Sequence, residues 1–143
     1  MKYKFLPHTA DVKFQAFGNS LEECFANAGM ALVEIICKEK IKPVKRKTIR
    51  VKARDRESLL YNFLEEFLYL IEVGDFLVGE IREIKITSKK NKKNRYDKEL
   101  VAEVWGDEIS NYETEGDVKA ITYNDMFVVK EGDRFKCQVV VDV

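Results

Sequence analysis

The chain has 143 residues, enough to bury a substantial core, and its 45% hydrophobic and 35% charged residues exclude a disordered or fibrous polypeptide. Twenty-five basic residues balance 25 acidic ones, so the whole-molecule field does not draw the protein to nucleic acid, and any such contact has to be local.

Residues 2–6 and 11–17 read as two strands with a corner at Pro7-His8-Thr9, because Val12, Phe14 and Ala16 alternate with Asp11, Lys13 and Gln15. Ser20-Leu21-Glu22-Glu23 has the form of a capping box and predicts a helix from Leu21 to about Cys37, with Cys24, Phe25, Ala28, Ala31, Leu32, Ile35 and Ile36 on its apolar face. A basic connector leads to a strand at residues 48–53. Asp55 then caps a second helix, residues 56–73, whose Leu59, Leu60, Phe63, Leu64, Phe67, Leu68 and Ile71 form a wide stripe and predict the centre of the core. Gly74-Asp75 ends it.

A long strand over residues 76–87 and a return strand over residues 99–105 flank Ser88 to Arg95, which is too polar to pack and reads as a solvated hairpin tip. An acidic irregular stretch follows, then a further hairpin expected around Asn124-Asp125, and a last strand, residues 134–143. Two helices among about seven strands, most joined by hairpin turns, predict a single α+β domain over residues 1–143, a mostly antiparallel sheet with two main helices packed on it. Trp105 is expected in the core.

Cys24, Cys37 and Cys137 are odd in number, form no Cys-x-x-Cys pair and stand beside a single histidine, which excludes a disulfide framework and a zinc cluster and points to buried thiols in a reducing compartment. No apolar run approaches the roughly 20 residues of a membrane span, and the first seven residues lack the apolar segment of a secretory signal. The expectation is a cytoplasmic protein with no membrane partner. Rossmann, P-loop and nucleophile-elbow motifs are absent from the sequence.

Two carboxylates stand out by position. Asp11 begins the second strand and Asp142 lies one residue from the end of the last, which implies that the two ends of the chain meet. With the terminal carboxylate of Val143 they offer hard oxygen ligands suited to Ca²⁺, Mg²⁺ or Mn²⁺, although spacing alone favours carboxylates on a solvated sheet face. His8 reads as a support for such a site or as a corner residue bonding a backbone carbonyl. Lys119 is either an anchor for phosphate or carboxylate or an edge-strand charge. Lys89, Lys90, Lys92, Lys93 and Arg95 offer a contact for RNA phosphates, with no aromatic interleaved among them for stacking on bases.

Four segments taken together resemble one family: His8-Thr9-Ala10-Asp11-Val12; Ser20-Leu21-Glu22-Glu23; the helix Leu59 to Leu70; and Val118-Lys119-Ala120-Ile121-Thr122-Tyr123 with Asp142. The family is archease, the small partner of the RtcB-type tRNA-splicing RNA ligase. The resemblance implies a non-catalytic activator that promotes guanylylation of the ligase and its multiple turnover, meeting tRNA indirectly through the ligase. It implies a divalent metal (Ca, Mn or Mg) held by Asp11, Asp142 and the Val143 carboxylate, with Lys119 serving the same function. Two departures stand out: Asn124 occupies the place where the family commonly has His, and Asn111 to Asp117 contains no histidine. The competing expectation is a general chaperone or a partner of RNA-modifying proteins, working through the basic tip and the exposed sheet.

Overall fold

The computed structural model describes residues 1–7 and 10–143, apart from the side chain of Tyr96. Among these residues the order is β1 (Tyr3–Leu6), β2 (Val12–Gly18), α1 (Leu21–Ile36), β3 (Lys45–Ala53), α2 (Arg56–Gly74), β4 (Phe76–Lys90), β5 (Tyr96–Glu108), a 3-10 turn at Ile109–Asn111, β6 (Ala120–Glu131) and β7 (Arg134–Asp142). The α+β class is as expected, and its strands divide between a four-stranded sheet, β1-β2-β7-β6, and a three-stranded sheet, β3-β5-β4, with antiparallel pairing throughout. Helix α1 packs on β2, β7 and β4, and α2 packs on β3, β4, β5 and β6. The helices are therefore the layer that joins the two sheets.

Both helices start where side-chain chemistry dictates. Ser20 Oγ accepts from the Glu23 N–H at 3.1 Å and Asp55 Oδ1 accepts from the Ser58 N–H at 2.7 Å, each satisfying a donor that the first turn leaves unpaired. At the far end of α2 it is Asp75 rather than Gly74 that turns left-handed, with φ 52° and its N–H on the Ile71 carbonyl.

The apolar faces meet as their spacing requires. Phe25 of α1 stacks on Phe63 of α2 at 6.4 Å between centroids, and Phe63 meets Phe67 edge-on at 5.1 Å. Close approach of the helices depends on Gly29, where an added methyl would fall 2.7 Å from Phe67 Cζ. From the sheets, Phe14, Ala16, Val139, Val141, Leu100, Ala102 and Val104 complete the same buried cluster.

The cysteines are unpaired and buried. A hydrogen bond with the Cys24 thiol, and then burial, push the Cys137 thiol well above its ordinary pKa, so it stays protonated and behaves as a small apolar side chain.

Two expectations are corrected. Residues 118–130 do not form a hairpin: Ala120 pairs with Asp142 and Phe127 with Gln138, so both halves belong to one strand, β6, beside β7, and residues 123–126 bulge out of it. Trp105 is not core. It stands half-exposed on the outer face of the three-stranded sheet, donating to Glu103 Oε1 at 3.0 Å beneath the Arg82 guanidinium at 4.3 Å.

The cap of α2 makes a prediction with a defined sign. The Ser58 backbone N–H bonded to Asp55 holds its carboxyl below the usual range, with a smaller contribution from Lys98. Because folding lowers this pKa, the stabilisation is complete above the unfolded-chain value and is lost as pH falls through the folded-state value. Asp55→Ala is expected to cost about 1 kcal/mol at pH 7 in urea unfolding. The gap to wild type should close as the pH is lowered through the acid carboxylate range.

Candidate functional site

The site is created by strand register. β2 and β7 run antiparallel with Val12 opposite Val141, so Asp11, the residue before β2, meets the end of β7, where Asp142 lies. On the other side of β7, Ala120 is the register partner of Asp142, and the Lys119 N–H donates to the Asp142 carbonyl at 2.7 Å. Three segments far apart in sequence thus converge at one end of one sheet, and the expected meeting of the chain ends is observed. His8 lies outside the described residues.

Alternation then sorts the side chains. Cys137, Val139 and Val141 face the helices and are fully buried, so Asp142 shares the opposite face with Gln138 and Val140. That outer face is a polar ladder. Gln15 Nε2 donates to Gln138 Oε1 at 2.9 Å, Gln138 Nε2 donates to the Asp125 carbonyl at 2.8 Å, and Lys13 pairs with Asp125 at 3.2 Å. The bulge in β6 therefore folds back across β7, with Asp125 at φ 53°. Thr122 pins its base, donating to the Val140 carbonyl at 2.8 Å and accepting from the Asn124 N–H at 3.2 Å. Asn124 thus uses its backbone N–H to hold the bulge.

Lys119 is one residue out of phase with Ala120 and falls on the helix side. It lines a groove of about 310 Å³ with Glu65, Glu66, Leu68, Tyr69 and Glu72 of α2. Burial, and then the neighbouring Glu65, raise the Glu66 carboxyl above its ordinary pKa. Nearby, Tyr61 and Tyr123 stack at 4.3 Å with ring planes 7° apart. Burial, followed by the charge of Glu65, raises the Tyr61 hydroxyl. Asp142 and Lys119 are therefore neighbours in backbone and separated by face. The α2 carboxylates beside Lys119 escaped sequence reasoning, because on a helix they read as ordinary solvated charges.

Asp11 and Asp142 provide hard oxygen donors of the kind that suits a divalent cation. Among the described residues, no three His, Cys, Asp or Glu side chains form a metal-holding group, so two side-chain carboxylates need main-chain, terminal or solvent oxygens to complete a coordination shell. Lys89, Lys90, Lys92, Lys93 and Arg95 lie elsewhere, at the tip of the β4–β5 hairpin. No helix is long and apolar enough to cross a membrane, among the described residues.

Residues 3–143 match the archease protein family (MTH1598/TM1083). The archease of Methanosarcina barkeri is 37% identical over 145 residues, covering 99% of this chain and 96% of the relative, and that of Pyrococcus abyssi is 33% identical over 146 residues, covering 99% of each. The solution structure of Methanobacterium thermoautotrophicum protein 1598 matches with a TM-score of 0.79 at 28% identity, over 99% of this chain and 98% of that one. The crystal structure of a Thermotoga maritima archease has the same fold, with a TM-score of 0.64 at 23% identity over 98% and 96% of the two chains. The chain belongs to the archease family, whose members are non-catalytic activators of the RtcB-type RNA ligase of tRNA splicing.

Thr122→Val removes the hydroxyl that joins β6, the bulge and β7. A loss of about 1 kcal/mol is expected in urea unfolding. Retention of full wild-type stability would show that the bulge is held by its other contacts.

Proposed function

We propose that this protein activates its ligase partner through the end of the four-stranded sheet where Asp11, Asp142 and Lys119 converge, and that Asp11, Asp142 and the Val143 carboxylate hold a divalent cation there. The observation that supports this reading is the register of β2, β7 and β6, which sets these segments side by side. Bound at these carboxylates, a hard cation such as Ca²⁺, Mn²⁺ or Mg²⁺ supplies positive charge beside a nucleotide triphosphate. Asp142 orients the site from a rigid strand end rather than from a loop. Lys119, which lines a groove with Glu65, Glu66 and Glu72 of α2, is the group that would meet a phosphate or a partner carboxylate. His8 stands three residues from Asp11 in sequence and serves as a supporting donor in the same reading.

The consequence for the ligase is promotion of guanylylation of its active-site histidine and of repeated turnover. The setting is cytoplasmic, in keeping with three unpaired, buried thiols.

Asp11→Ala and Asp142→Ala are expected to reduce stimulation of ligase guanylylation by about tenfold or more, with thermal unfolding of Asp142→Ala close to wild type because Asp142 is exposed. Full stimulation by either folded variant would sink the role of these carboxylates. Because Val143 contributes through its terminal carboxylate, a tag fused after it should weaken Mn²⁺ or Ca²⁺ binding more than an N-terminal tag, as read by calorimetric titration. Equal affinities would remove Val143 from the set.

A further inference from the structure

The charges of this neutral chain are segregated. Between Lys85 and Lys98 there are seven basic residues and one acidic residue, whereas between Glu103 and Asp117 there are six acidic residues and none that is basic. Strand β5 leads from the first block into the second. Register brings Arg54 beside the hairpin tip, since Ala53 pairs with Lys98, while Lys52 is ion-paired with Glu99 at 3.7 Å. The acidic end joins the carboxylate site: Glu115 donates its N–H to the Ile36 carbonyl at the end of α1, and Asp117, Lys119 and Glu72 line one small pocket.

The two ends lie at opposite extremes of β7. At its start, Phe135 sits beneath the Arg56 guanidinium at 5.4 Å, and Arg56 opens α2 next to the basic end. Asp142 is seven residues further along that strand, about 23 Å away at the usual strand rise.

The tip is also built to present its charge. Asn91 is half-buried and takes the loop in hand: its Oδ1 accepts from the Lys93 and Arg95 N–H groups at 2.9 and 3.0 Å, and its Nδ2 donates to Asp97 Oδ2 at 3.1 Å. Asn94 makes the left-handed turn, with φ 64°. The one acidic residue of the block is thereby engaged by a neutral amide rather than by a lysine, while Lys89, Lys92, Lys93 and Arg95 stand exposed.

We propose that this basic end of the three-stranded sheet binds the phosphate backbone of RNA. The charge is spread over a hairpin tip and the neighbouring edge strand, which suits a polyanion with repeated phosphates better than a single one. No aromatic stands between Lys89 and Arg95, so the contact is to phosphates without base readout. That the RNA is the ligase's cleaved substrate rests on the activator reading; binding of RNA does not.

The test is fluorescence anisotropy of a fluorescein-labelled cleaved tRNA titrated with the protein at 50 and 200 mM KCl. It compares wild type, Asp142→Asn, and the combined variant Lys89→Gln, Lys92→Gln, Lys93→Gln and Arg95→Gln, whose altered side chains are all exposed. Wild type and Asp142→Asn should bind alike and weaken steeply with salt. The combined variant should bind at least about tenfold more weakly at low salt, with a log–log salt slope shallower by about 3, from four lost phosphate contacts. Ligase guanylylation without RNA should be stimulated equally by wild type and the combined variant.

Equal RNA binding by the combined variant, or no binding by wild type at 50 mM KCl, overturns the proposal. So does loss of RNA-free stimulation by the combined variant, which would put the ligase itself on the tip. Failure of wild type to stimulate guanylylation while it still binds RNA overturns the activator reading alone.

Discussion

The antiparallel pairing of β2 with β7 is the constraint on which everything else rests. It joins residues near the two chain ends through seven register pairs, Val12 with Val141 to Gly18 with Phe135. One face of this seam carries Phe14, Ala16, Cys137, Val139 and Val141, all fully buried, with burial of each large apolar side chain contributing about 1.5–3 kcal/mol. Register on such a seam is strongly specified, because a slip of one residue would turn its whole apolar set outward and bury Lys13 and Lys136. The same register is what places Asp11 beside Asp142. The juxtaposition of these two segments is thus held by core packing.

Much of this was legible in the sequence because local signals and burial agree. Ser20 and Asp55 cap the helices they precede, and the apolar spacing of Leu59 to Phe67 is the face that is buried. The division into two sheets was not legible, since alternation fixes which side chains share a face and is silent about which strands pair. Asn124-Asp125 misled for a related reason. A residue able to turn left-handed serves a bulge as well as a hairpin, and only the pairing of both flanks with β7 distinguishes them. Trp105 misled because its strand has two covered faces of different kinds, one packed on helices and one shielded only by Arg82 and Glu103. The two carboxylates were visible as odd placements, but the convergence of their segments with Lys119 at one end of the sheet follows from register alone.

The outer face of the four-stranded sheet shows how a polar surface is made rigid. Gln15 and Gln138 are nearly as buried as core residues, which is tolerable because each amide is paired across the seam and the second also reaches the bulge. Unpaired, either amide would cost about 1–3 kcal/mol. The ladder therefore stiffens the middle of β7, the strand that ends in Asp142.

Helix α2 spans the distance between the two charged ends, 19 residues or about 28 Å, and its own charges are only partly arranged for its stability. Asp55 and Glu57 favour its N-terminus, but Arg56 stands beside them, and the last turn holds Glu72 with no basic residue. An acidic side chain at a helix C-terminus opposes the macrodipole by about 0.3–1 kcal/mol, and Glu66 carries the further burden of partial burial beside Glu65. Stability alone would place lysine or arginine there. Glu72, which opposes its helix dipole, lines with Glu65 and Glu66 the groove shared with Lys119, at the end of the molecule where Asp142 lies. Opposite it, the basic hairpin tip carries the balancing charge at a distance of more than two Debye lengths in physiological salt, so the two ends act on their surroundings independently.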